Sequence, residues 1–90
     1  SIFMRFIKIK VFKLDRFSIE KEEETGKYAI SFPVFNGLAE YSEFYEISES
    51  ELNSFTSNMD TLKDFVKDCR ERKNDSRLLV KPGRLRGLSE

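Results

Sequence analysis

Asn36-Gly37 is the feature that most restricts how this chain can fold. An Asn-Gly pair takes the positive φ angles that a tight hairpin turn needs, and between two apolar stretches it is the strongest short-range hairpin signal. Before it lies KYAISFPVF, residues 27–35, and after it the stretch 38–47, LAEYSEFYEI. Both read as strands, so the pair predicts an antiparallel hairpin. In the first strand Tyr28, Ile30, Phe32 and Val34 share one face, and Ala29, Ser31 and Pro33 the other. Pro33 has no N–H for a ladder, which places this strand at a sheet edge or breaks it there.

The second strand runs straight into a helix. Ser48 and Glu51 have capping-box spacing, with Ile47 and Leu52 placed as a hydrophobic staple. Glu49 and Glu51 suit the positive end of the helix dipole. Leu52 and Phe55 form the inner side. Thr56, Ser57 and Asn58 are poor helix formers, so either one helix kinks there or a second begins near Asp60. Met59, Leu62, Phe65, Val66 and Cys69 continue at helical spacing, and Asn74 is a plausible stop.

Upstream, residues 3–14 (FMRFIKIKVFKL) read as a long strand. Ile7, Ile9 and Val11 alternate with Lys8 and Lys10, and Phe6 and Phe12 fall on the lysine side. Residues 18–26 (SIEKEEETG) read as an exposed loop or hairpin tip, because consecutive glutamates repel one another and Gly26 can turn the chain. Residues 77–81 (RLLVK) fit a last short strand, and 82–90 a flexible tail beginning at Pro82-Gly83. The expected architecture is α+β: an antiparallel sheet of three or four strands, in order β-β-β-α-β, with one kinked helix or two short helices on one face. Ninety residues make a single domain, 1–90.

Composition excludes several kinds of chemistry. There is no histidine and a single cysteine, Cys69, so histidine-based triads, zinc clusters and an intrachain disulfide are all excluded. Cys69 lies on an apolar helical stripe, where a buried thiol is the expectation. No apolar run reaches the ~18 residues of a membrane span, and SIFMRF is too short and too charged for a signal peptide. A cytoplasmic protein without cofactor or metal, monomeric or weakly dimeric, is expected.

Net charge is zero, from 16 basic and 16 acidic residues, but the charge is segregated. Residues 1–16 carry five basic groups against Asp15, residues 17–52 nine Glu against Lys21 and Lys27, and residues 53–90 nine basic against six acidic groups. Such asymmetry favours a partner of one sign, or pairing between neighbouring strands. Along 38–47, Ala39, Tyr41, Glu43, Tyr45 and Ile47 share the expected core face, leaving Glu40, Phe44 and Glu46 outward. Glu40, Tyr41, Glu43, Phe44, Tyr45 and Glu46 are the candidate partner-binding residues: aromatic anchors among acids that would favour a basic partner. Glu40, Glu43 and Glu46 are spaced by three on a strand, which suits neither a metal site nor a catalytic dyad. The competing set is Lys8, Lys10, Arg84 and Arg86, which could bind nucleic-acid phosphates. A structural or oligomerising domain is the third possibility.

FNGLAEYSEFYEISESEL, an apolar helix and then NDSRLLVKPGRLRG form a layout that resembles small bacterial immunity proteins. These are encoded beside polymorphic or contact-dependent growth-inhibition toxins. The resemblance covers most of residues 28–87. It implies a non-enzymatic module that binds and neutralises a cognate toxin domain, often a nuclease with a basic active site.

Overall fold

A computed structural model describes residues 3–90. Four strands form an antiparallel meander in chain order: β1 (Phe6–Phe12), β2 (Phe17–Glu22), β3 (Tyr28–Phe35) and β4 (Glu40–Ile47). Two helices follow, α1 (Glu49–Ser57) and α2 (Met59–Arg70), then a 3-10 turn at Asp75–Arg77 and a two-residue strand β5 (Leu88–Ser89) paired with β3. The fold is α+β as expected, but four strands precede the helices rather than three.

The additional strand is β2, in the stretch expected to be a loop. Its glutamates conceal an alternation. Phe17 and Ile19 face the core, while Ser18, Glu20 and Glu22 lie buried on the opposite side. Burial is tolerated because each polar group is bonded. The Ser18 hydroxyl donates to Glu20 at 2.6 Å. The Glu22 carboxylate accepts the backbone N–H groups of Arg5, Glu24 and Thr25. These bonds hold Glu22 below the ordinary carboxylate range, Thr25 contributing most.

The Asn36-Gly37 hairpin is present, with a longer loop than a two-residue turn. Phe35 pairs with Glu40, so residues 36–39 form the connection. Asn36 Oδ1 accepts from the N–H groups of Leu38 and Ala39, and Gly37 takes φ 91°.

Pro33 sits in a central strand, not an edge one. Its carbonyl accepts the N–H of Glu90, so both backbone groups of Pro33 point to the β2/β5 side of β3. β2 stops pairing at Ser31 and β5 starts at Val34. The missing N–H therefore falls in the gap between two partners.

The core packs Ile19, Ile30, Phe32, Tyr45 and Ile47 of the sheet against Phe55, Leu62, Val66 and Cys69 of the helices. The helical stretch resolves into two helices joined at Asn58, which ends α1 and caps α2 by accepting the Thr61 N–H at its side chain. At the start of α1, Ser48 accepts from the Glu51 N–H at 3.0 Å, and Glu51 accepts from the Ser48 N–H at 2.9 Å. Glu51 also takes a two-pronged contact from Arg77, at 2.9 and 2.8 Å. One carboxylate thus fixes both the helix start and the 3-10 turn.

Residues 77–81 do not form the expected strand. The 3-10 turn delivers Leu78 to a single bridge with Tyr45, and the Leu79 N–H donates to the Phe44 carbonyl. This contact covers the outer edge of β4 at Phe44 and Tyr45. Residues 82–90, expected as a flexible tail, return to the sheet as β5. Gly87 makes the close approach possible, since a Cβ there would lie 2.8 Å from the Phe35 backbone. Among the described residues no helix is long and apolar enough to cross a membrane.

Candidate partner-binding site

The acidic aromatic stretch divides between the two faces of β4. Glu43 and Tyr45 point into the protein, as the core-face assignment predicts, and are buried. The Tyr45 hydroxyl donates to Glu43 Oε1 at 2.8 Å. Arg86 reaches back from the C-terminal segment, donating through Nε to Glu43 Oε2 at 2.8 Å and through Nη1 to Asp75 Oδ2 at 2.6 Å. Burial and the Glu43 charge push the Tyr45 phenol well above its ordinary value. The paired carboxylates hold the Arg86 guanidinium firmly charged. Tyr41 completes the arrangement by accepting the Gly87 N–H at 2.6 Å. Tyr41, Glu43 and Tyr45 therefore form the seat for the chain's own Arg86–Gly87, and Glu43 and Tyr45 cannot belong to an exposed contact patch.

Phe44 lies on the other face and is half-buried, stacked on Phe6 with ring centroids 3.8 Å apart. These two rings come from the outermost strands of the meander, so the sheet must curl strongly over the face away from the helices. Glu40 is exposed, and Glu46 lies 3.8 Å from Lys27. The six residues thus make no single surface.

The alternative basic set is also dispersed. A bulge at Ile9 shifts the register, so that Lys8 pairs with Glu20 but Lys10 with Ile19. Facing partners share a side of the sheet, which puts the two lysines on opposite faces. Contacts agree: Lys8 approaches Glu20 at 3.6 Å, while Lys10 lies over the Phe12 ring. The simple alternation expected across residues 3–14 is broken at this point. Arg86 is consumed by Glu43 and Asp75, and Arg84 is exposed beside Asn36 and Leu85.

What remains open is β1. It is the last strand of the sheet, and among the described residues nothing pairs with its outer edge. Ile7, Ile9 and Val11 are 52%, 51% and 48% exposed, high for apolar strand residues. Beside it, on the face away from the helices, a cleft of about 240 Å³ is lined by Lys8, Lys13, Arg16, Ser18, Ser31 and Ser42 among others. The signal for an edge strand was present in the sequence as FIKIKVF. What concealed it was the missed β2, without which β1 had no assigned neighbour.

Burial pushes the Cys69 thiol up to about 11, which leaves it protonated and a poor nucleophile. Among the described residues no group of three His, Cys, Asp or Glu side chains is placed to hold a metal ion. The chain matches no family model, no curated protein and no solved structure.

Proposed function

We propose that this chain is a non-enzymatic protein-binding module that takes its partner along the open edge of β1. The observation that carries this reading is a seven-residue edge strand whose outer side has no partner among the described residues, with three half-exposed aliphatic side chains. An unpaired edge is a ready template for an added strand, which is a recurrent mode of peptide recognition. At about 3.3 Å per residue, β1 offers roughly 23 Å of free backbone.

Charge selects the occupant. A second copy pairing along this edge would bring its own Lys8 and Lys10 close to this chain's, and like charges brought together repel. Because Lys8 and Lys10 stand on opposite faces, a partner strand alternating acidic and apolar residues sets its acids against one lysine and lays its aliphatic side chains along the other face. An immunity role, with a cognate toxin domain as the partner, is the specific form of this proposal that the resemblance implies; the toxin's contact segment would then be acidic.

Fluorescence anisotropy with labelled nine-residue peptides tests it. Peptides alternating Glu with Val or Ile should bind in a saturable way, and peptides alternating Lys with the same residues at least tenfold more weakly. An Ile7→Glu, Ile9→Glu double variant should lose the binding while keeping its melting temperature within a few degrees. Equal binding of acidic and basic peptides, or no loss in the variant, contradicts the proposal. Tight binding of oligonucleotides with a steep salt slope would favour the nucleic-acid reading instead.

A further inference from the structure

The cleft beside β1 has the chemistry of an anion site. It opens where β2 has ended and β3 continues past Ser31, and the 13–16 turn closes one end. Three cations line it, Lys8, Lys13 and Arg16. Their carboxylate contacts are long: Lys8 to Glu20 at 3.6 Å and Arg16 to Glu90 at 3.9 Å, and among the described residues Lys13 has none. Charge-assisted hydrogen bonds are usually about 2.7–2.9 Å, so all three cations keep donors to offer.

The floor adds neutral donors. Ser31 is only 2% exposed and its hydroxyl has no hydrogen-bond partner among the described residues. No fully enclosed side-chain polar atom among those residues lacks a partner, so the Ser31 hydroxyl must open onto the cleft. Ser42 is exposed beside it with its hydroxyl likewise free, whereas the Ser18 proton is taken by Glu20. A hydroxyl that opens onto the cleft can donate to a ligand oxygen arriving there. Val11, Phe12 and Phe32 give the same cleft apolar lining.

We propose that this cleft binds a small organic anion, a phosphate monoester or carboxylate on a compact apolar body. Lys13 and Arg16 attract and pair with the charge, the Ser31 and Ser42 hydroxyls donate to its oxygens, and the apolar lining holds the body. This cleft shares Lys8, Val11 and Phe12 with β1, but its proposed anion contacts are made by Lys13, Arg16, Ser31 and Ser42 and do not rest on partner binding along the outer edge.

The test is an NMR titration of the full chain with phenyl phosphate, inorganic phosphate and benzyl alcohol. Saturable shifts should centre on the amides of Lys13, Ser31 and Ser42. Phenyl phosphate should bind at least tenfold more tightly than benzyl alcohol, and more tightly than inorganic phosphate. Lys13→Gln with Arg16→Asn removes two charges while keeping a residue suited to the positive φ of 56° at position 16. That variant should bind phenyl phosphate at least tenfold more weakly with an unchanged amide spectrum elsewhere, and Ser31→Ala severalfold more weakly. Shifts scattered over many lysines without saturation, or undiminished affinity in the double variant, overturn the proposal.

Discussion

Glu43 in the middle of β4 and Arg86 near the C-terminus are joined by two hydrogen bonds of 2.8 and 3.2 Å. Both side chains are largely buried, at 6% and 13% exposure. The pair closes a long loop, and it converts the most conspicuous acidic aromatic stretch of the sequence into an internal joint. Removing one partner of a buried pair leaves an uncompensated charge, which costs about 3–5 kcal/mol. Arg86→Leu should therefore destabilise by about 3 kcal/mol in urea titration. Glu43→Leu combined with Arg86→Leu should cost less than Arg86→Leu alone.

The close approach at Gly87 gives a second, local outcome. Gly87→Ala forces a Cβ against the Phe35 backbone, where heavy atoms lie 2.8–2.9 Å away. Overpacking of this kind costs about 1–3 kcal/mol. The strain should be relieved by release of β5, visible as faster hydrogen exchange at residues 84–90 with little change in β1.

Phe6 and Phe44 bridge the first and fourth strands of the meander over the curled face. Aromatic pairs are worth about 0.5–1.5 kcal/mol beyond their buried area. A double-mutant cycle with Phe6→Ala and Phe44→Ala should return a coupling of about 1 kcal/mol. A coupling near zero would mean that the rings do not meet in solution.

Three carboxyls are held below their ordinary values of 4.5 for Glu and 3.8 for Asp: Glu22 by the Thr25 and Arg5 N–H groups, Glu51 by Arg77, and Asp75 by Arg86. A carboxyl depressed in the folded state contributes stability above its unfolded value and loses it as pH falls through its folded value. Stability measured by urea titration should be flat from pH 7 to about 5 and fall steadily below about pH 4.5. Glu22→Gln should flatten part of that fall.

The capping box, the core face of β4 and the helical stripe through Leu62, Val66 and Cys69 were legible in the sequence because each depends on local spacing. What was not legible depends on distant partners. Residues 18–26 read as a loop because their glutamates look solvent-bound, yet Phe17–Glu22 is a strand and Glu22 is satisfied by the N–H of Arg5, 17 residues earlier. The bulge at Ile9 leaves no mark in FIKIKVF. Arg86 reads as a free basic group until Glu43 and Asp75 are placed beside it. Pro33 misleads because its lost donor falls in a gap that only the ends of β2 and β5 define.

The most direct measurement of the central claim is residue-resolved hydrogen exchange with and without a saturating acidic-apolar nine-residue peptide. The β1 amides that point outward, within 6–12, should slow at least tenfold on binding, while those of Phe44 and Tyr45 in β4, where Leu78 and Leu79 already bridge the edge, stay unchanged. Protection appearing along 40–47 with none in β1 would contradict the assignment of β1 as the partner-binding edge.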